Sequence, residues 1–211
     1  WYTETTWYKK AFDLRRREFP VKKHPIATIE MSSGKNIVIE LYPEEAPNTC
    51  ASFIWLANRG RYDNKTVDRI VPGFVIQPSY SEFDHEECKY EIDGEFLSNG
   101  FPNHLKNDVG CIAMGGDGKS RASGCEFYFT LAYHERLDGN YPVFGKVIEG
   151  WDEVERLEHV ELVNVPCSHP GIEINRPVTP ETMVRVRVET FGESYPEPAK
   201  LPKQAAGGEN K

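Results

Sequence analysis

Hydrophobic and polar positions change period several times along the chain, and each change marks an element. From Ile26 to Met31 apolar residues alternate with polar ones. Ser33-Gly34-Lys35 turns, and Ile37 to Leu41 alternates again, which predicts a β-hairpin. The period then lengthens. Cys50, Phe53, Ile54 and Ala57 fall on one stripe at helical spacing, with Pro47 placed for the first turn and Gly60 for the end. This helix should cover the open side of a sheet or barrel. Val67 to Gln77 reads as two short apolar strands folded about Pro72-Gly73, a turn dipeptide. Further strands are expected at Gly110–Met114, Glu126–Leu131 and Val143–Val147, with a turn at Leu137–Tyr141. Trp151 to Leu157 reads as a second short helix, and Met183 to Val188 as a closing strand.

Three stretches lack such a pattern. Residues 1–24 mix aromatics with a basic cluster; Thr6 to Arg17 suits a short helix, stopped by Pro20, that packs Trp7 and Phe12 on the domain. Pro78 to Asn107 is acidic in its first half and rich in turn residues in its second, and reads as an ordered excursion across the surface. Residues 192–211 are rich in Pro, Gly, Lys and Glu and read as a flexible tail. A single domain at 25–191 remains. Many short strands, two helices and Gly-rich turns make the fold class mainly β, a closed barrel capped by two α-helices. Closure removes exposed sheet edges.

Composition narrows the partners. A hydrophobic fraction of 39% is enough for a real core, and a net charge of −8 argues against nonspecific binding to nucleic acid or to anionic membrane. No apolar run approaches the roughly 18 residues of a membrane span. The five cysteines are odd in number and show no metal or redox spacing. Free thiols in apolar settings, and hence a reducing cytoplasmic location, are expected. The chain begins at Trp1 and so reads as a processed protein, a trimmed form or a fragment.

Candidate chemistry centres on the hairpin at Val67–Gln77. It carries a cation, Arg69, an aromatic ring, Phe74, and an amide, Gln77. Together these suit a ligand with a carbonyl and an apolar ring; alternatively Arg69 points to water and Phe74 is core. A second motif competes. Ala113 to Ser120 nearly matches a phosphate-binding P-loop, but the chain enters a strand at Glu126 with no room for the helix whose N-terminus would face a phosphate. His85 with Cys88, and Cys167 with His169, lack partners at zinc-like spacing and read as solvated loop residues. No metal and no cofactor is expected.

Several segments together resemble the cyclophilins. Ile39 to Thr49 with Phe53, Leu56 and Gly60-Arg61-Tyr62 is similar to the family's first helix and its approach. Asp68-Arg69-Ile70-Val71-Pro72-Gly73-Phe74-Val75-Ile76-Gln77 resembles its arginine segment, and Gly94-Glu95-Phe96 its mid-loop motif. Gly110 to Gly116, Phe127-Tyr128-Phe129, and Leu137-Asp138-Gly139 through Val147 resemble the remainder. The resemblance implies an eight-stranded antiparallel barrel with a helix at each end, in a divergent, bacterial-like member. It implies a peptidyl-prolyl cis–trans isomerase that assists protein folding, acting as a monomer on proline-containing peptides and unfolded proteins.

By this resemblance Arg69 is catalytic. Phe74, Val75, Tyr128 and Leu137 line a proline pocket, Gln77 orients Arg69 or the peptide, and the backbone at Gly115 and Gly116 pairs with the peptide. Glu126 replaces a glutamine that contacts the peptide, Tyr128 a phenylalanine, and Tyr141 a histidine. Arg136 replaces the tryptophan that usually helps bind cyclosporin-type ligands, so only weak binding of those is expected. Val67-Asp68 and Pro78-Ser79 also depart from the family's residues. A non-catalytic module that binds proline peptides is the alternative.

Overall fold

The computed structural model describes residues 23–78, 85–166 and 171–203. The helix expected within Thr6–Arg17, the packing of Trp7 and Phe12, and the pair Cys167 and His169 lie outside the described residues. In chain order the elements are β1 (Ile26–Met31), β2 (Asn36–Leu41), α1 (Pro47–Asn58), β3 (Lys65–Val71), β4 (Val75–Pro78), β5 (Tyr90–Asp93), β6 (Cys111–Gly116) and β7 (Arg121–Thr130). They continue with β8 (Val143–Glu149), α2 (Trp151–Glu158), β9 (Leu162–Asn164), β10 (Asn175–Pro177), β11 (Thr182–Glu189) and β12 (Leu201–Pro202).

Eight of these strands close on themselves in the order β7-β4-β3-β11-β1-β2-β8-β6 and back to β7. Neighbours around the ring are antiparallel. Alternation explains the closure. On β1, Ala27, Ile29 and Met31 are buried, and on β2, Ile37, Ile39 and Leu41; period-two burial sends one set of side chains to the barrel interior. β7 is the longest strand and pairs three ways: β6 on one side, β4 and β5 in succession on the other.

α1 is more deeply buried than a single stripe would be. Thr49, Ala51, Ser52 and Leu56 join the four expected residues inside. Phe53 meets Tyr62, Phe127 and Phe144 at ring-centroid distances of 5.2 to 5.4 Å, an aromatic cluster that plugs one barrel mouth. Burying the helix N-terminus leaves backbone N–H groups without helical partners. Glu95 supplies them. Its carboxylate accepts from the N–H of Asn48 and of Thr49, each at 2.8 Å, and from the Thr49 hydroxyl at 2.7 Å. The helix dipole favours the charge there.

Three expectations need correction. The connection from Pro78 to Asn107 does not simply cross the surface. Within it, Tyr90 and Ile92 are buried on β5 while Glu91 and Asp93 face outward, so a short alternating strand is hidden in an acidic stretch. Cys88 is likewise buried, not a solvated loop residue, and His85 caps a single 3-10 turn by accepting from the Glu87 N–H. The flexible tail does not begin at 192. β12 pairs with β5, Pro198 is buried and Tyr195 packs on the core, because apolar surface beside β5 remains to be covered. Cys50, Cys88, Cys111 and Cys125 are free and buried.

Glu95→Ala should therefore lower stability by about 2 to 4 kcal/mol, since it orphans buried helix N–H groups and removes charge-assisted bonds. Urea unfolding of both proteins reads this; a loss below about 0.5 kcal/mol would show that water replaces the cap.

Candidate active site

The site is built on the β3–β4 hairpin. Pro72 and Gly73 form its turn, closed by a 2.9 Å bond from the Phe74 N–H to the Val71 carbonyl. Gly73 has φ +69°, the position of a type II turn that only glycine occupies freely. Glu158 at the end of α2 accepts from the Gly73 N–H at 2.7 Å. The register pairs Val71 with Val75, Ile70 with Ile76 and Arg69 with Gln77, and then shifts between Val67 and Arg69. Such a bulge re-aims side chains. Here it leaves Asp68 buried and turns Arg69 into a cleft, so the arginine does not point to bulk water.

Arg69 is half-buried and held in plane from two sides. Its Nη1 donates to Gln77 Oε1 at 3.0 Å, and its Nε donates to the Glu173 carbonyl at 2.9 Å. Beside it lies an apolar pocket made by Phe74, Val75, Tyr128 and Leu137 over Ala113 and Val143. Tyr128 forms the floor, with its hydroxyl turned away to donate to Asn107 Oδ1 at 2.9 Å. Burial pushes that phenol well above the ordinary tyrosine range. Asn107 in turn donates to the Leu137 carbonyl and accepts nothing from solvent, being fully buried. One asparagine thus ties pocket floor to pocket wall. Phe74 is braced edge-on by His134 at 4.8 Å, and the Arg136 guanidinium lies over its ring at 4.5 Å, a cation–π contact at the rim.

Gly115 and Gly116 line the same cleft, together with charged residues from β5 and β7. A Cβ on Gly115 would stand 3.4 Å from Gln77 Nε2, and one on Gly116 only 2.3 Å from the Arg121 carbonyl. The β6–β7 turn that follows is the apparent phosphate loop. Three of its backbone donors are already used: Asp117 Oδ1 accepts from the N–H groups of Lys119, Ser120 and Arg121 at 2.8 to 2.9 Å. These bonds hold the Asp117 carboxyl below the usual range despite its partial burial. The protein's own anion sits where a phosphate would have to bind, which argues against the nucleotide reading.

All eleven residues singled out from the sequence line one cleft of about 440 Å³: Arg69, Phe74, Val75, Gln77, Gly115, Gly116, Glu126, Tyr128, Arg136, Leu137 and Tyr141. The sequence reading missed Glu91 on β5, Ile172 in the β9–β10 loop, Lys203 after β12, and the supporting Asn107. Short or irregular segments carry them, and no periodicity marks such residues. A buried asparagine in a loop is legible only once the carbonyls it must satisfy are known.

Comparisons with known proteins converge on one family. The family model described as cyclophilin type peptidyl-prolyl cis-trans isomerase/CLD matches residues 26–188. Among curated proteins, peptidyl-prolyl cis-trans isomerase CYP18-2 of Arabidopsis thaliana is 30% identical over 80% of this chain and 96% of its own length. Peptidyl-prolyl cis-trans isomerase 10 of Caenorhabditis elegans is 33% identical over 65% of this chain and 84% of its own. A solved cyclophilin-type isomerase of Cryptosporidium parvum shares the fold, with a TM-score of 0.63 at 24% identity over 79% of this chain and 98% of its own. A second structure of that protein, solved in the presence of the dipeptide Ala-Pro, has a TM-score of 0.62 over 78% of this chain and 98% of its own. The chain belongs to the cyclophilin-type peptidyl-prolyl cis–trans isomerases.

Glu126 offers a pH test. Burial pushes its carboxyl up, with Asp68 and Glu91 adding to the rise and Lys203 opposing it. A raised folded pKa means that ionisation costs stability: the cost is absent below the unfolded value, about 4.3, and grows as pH rises through the folded value. Glu126→Gln should therefore stabilise the protein at pH 7, with the gain vanishing at low pH. Urea unfolding across pH checks this; a gain that does not change with pH would show that ionisation is not its source.

Proposed function

We propose that Arg69 catalyses rotation about X–Pro bonds in proline-containing segments of unfolded proteins, with the prolyl ring held by Phe74, Val75, Tyr128 and Leu137. One observation carries this reading: a guanidinium fixed in plane by Gln77 stands beside an apolar pocket with an aromatic floor. The chemistry follows from the amide. Its partial double bond sets a barrier of roughly 20 kcal/mol. In the twisted state conjugation is lost, the nitrogen becomes pyramidal and its lone pair localises. An N–H donor aimed at that nitrogen stabilises the twisted state more than either planar one, and a donor on the carbonyl side keeps the acyl group in register.

No bond is made or broken, so no nucleophile or base is required. The ring stays still in its pocket while the acyl side turns, and the backbone at Gly115 and Gly116 holds the preceding residue in extended pairing. Gln77 acts as a positioning residue by fixing the guanidinium plane, so that little reorganisation is needed as charge shifts. The protein works as a monomer, without nucleic acid or membrane as a partner, in keeping with its net charge of −8.

The test is a coupled isomerase assay on a proline peptide. Arg69→Ala should keep the fold and lose about 10² to 10³ in kcat/KM. Activity like that of the parent in well-folded Arg69→Ala would sink the mechanism; a parent protein that binds the peptide without turning it over would favour the non-catalytic binding module.

A cyclosporin-type macrocycle should inhibit this protein only weakly. Arg136 presents a hydrated charge at the rim, where an apolar ligand has nothing to pair with it. Arg136→Trp should tighten inhibition by about tenfold, through one indole N–H bond and its flat apolar face. Tight inhibition that Arg136→Trp does not change would refute the role given to this position.

A further inference from the structure

A guanidinium held at one nitrogen can still swing about that bond. Gln77 holds Arg69 at Nη1, and the Glu173 carbonyl holds it at Nε. These two donors diverge within one plane, so together they fix the plane. Gln77 lies on the strand paired with β3, and its place follows from the barrel. Glu173 has no such support. It is exposed and lies in the loop between β9 and β10, which form a two-stranded ribbon outside the barrel ring. A loop carbonyl is a fixed acceptor only if the loop around it is fixed.

The ribbon supplies that rigidity in two steps. At its base Leu162 packs on the barrel core, Pro177 is buried, and the Val178 N–H donates to the Glu161 carbonyl at 2.9 Å. Next to Glu173, the register pairs Asn164 with Asn175. Asn164 Nδ2 donates to Asn175 Oδ1 at 3.0 Å, and Asn175 Nδ2 donates to Glu173 Oε1 at 2.6 Å. The Ile174 carbonyl accepts from the Val165 N–H at 2.8 Å and from Asn164 Nδ2 at 3.4 Å. Glu173 is therefore held through its own side chain, and the residue after it through its carbonyl. An asparagine suits the middle of this relay, because its amide accepts at one atom and donates at another. The chain of contacts runs from Asn164 through Asn175 and Glu173 to Arg69.

We propose that Asn175 is a positioning residue for isomerisation: it holds the Glu173 side chain, and so sets the Glu173 carbonyl that fixes the Arg69 plane. This inference rests on the isomerase reading. It gives the ribbon a role that a stabilising appendage would not have. The barrel ring closes without β9 and β10, and the apolar pocket is built from other elements. A purely structural ribbon would therefore leave turnover alone when its side-chain relay is cut. Glu173 is exposed and Asn175 half-buried, so cutting the relay costs less than removing the arginine.

The test cuts the relay and reads the arginine directly. Asn175→Ala and Glu173→Ala each remove the same side-chain bond. Each should lower kcat by about threefold to tenfold, the size of one net hydrogen bond, with KM close to that of the parent. The double variant should lose no more than either single one, since both act through one contact. Glu173→Gln keeps the acceptor and should recover most of what Glu173→Ala loses. In parallel, the Nε–H signal of Arg69 is followed by NMR and assigned by its disappearance in Arg69→Ala. It should exchange with water faster in Asn175→Ala and in Glu173→Ala than in the parent. This signal does not depend on turnover. A parent protein with no isomerase activity would refute the isomerase reading, while the signal would still judge the relay. Parent-like kcat with an unchanged Nε–H signal in the folded alanine variants would overturn the proposal. So would a change confined to KM, or equal losses in Glu173→Gln and Glu173→Ala.

Discussion

A guanidinium is useful at this site only if its plane is fixed, and the pairing of Arg69 with Gln77 across β3 and β4 fixes it together with the Glu173 carbonyl. That pairing depends on register. A slip of one residue in a strand moves every side chain to the opposite face, which would send Arg69 out of the cleft and open Ile70 to it. Three features hold the register: the Pro72-Gly73 turn, the bulge that absorbs Asp68, and the closed ring that leaves β3 and β4 flanked by β11 and β7. The Glu158 carboxylate and the His134 ring both grip Gly73, so α2 and the loop before Leu137 lock the same turn from outside. Barrel closure, turn chemistry and the cleft are therefore one constraint expressed at three scales.

How much of this could be read from the sequence follows from the same physics. β1 and β2 were legible because each has one buried face, which writes a period of two into the residues, whereas β4, β6 and β7 are buried on both faces and read as short apolar runs bounded by turn residues. The first helix was legible from its stripe, but its nearly complete burial was not, since Thr49 and Ser52 look polar until Glu95 and the Gly124 carbonyl are known to satisfy them. β5 was hidden because only Tyr90 and Ile92 mark its inner face, within a stretch dominated by carboxylates. β12 is two residues long and carries a proline, so no pattern could announce it; it exists because β5 offers an edge and Asn48 offers an amide.

The cleft itself shows a similar division. Arg69, Phe74 and Gln77 stand close together in sequence, and the turn between them makes their convergence nearly inevitable. Glu126, Tyr128, Arg136 and Tyr141 converge only through the β6–β7 hairpin and the 3-10 turn at Glu135–Leu137, and for these the likeness to a known family carried more than any local signal. Ile172 and Lys203 come from segments that β9–β10 and β12 add around the ring. Neither segment is needed to close the barrel, and both end at the cleft.

The loop that imitates a phosphate site also shapes the charge balance of the cleft. A hairpin rich in Gly and Ser, with free backbone donors, would collapse toward any nearby anion, including Glu126 or the carboxylates of a substrate. Asp117 prevents this by taking the N–H groups of Lys119, Ser120 and Arg121 for itself. The loop is then closed on its own charge, beside Gly115 and Gly116, which line the cleft. Arg121, fixed by that same loop, is free to engage Glu91 on the neighbouring strand. Glu126 is left as the one cleft carboxylate without a hydrogen bond or ion pair among the described residues, because a single aspartate satisfies three amides and Arg121 is taken by Glu91.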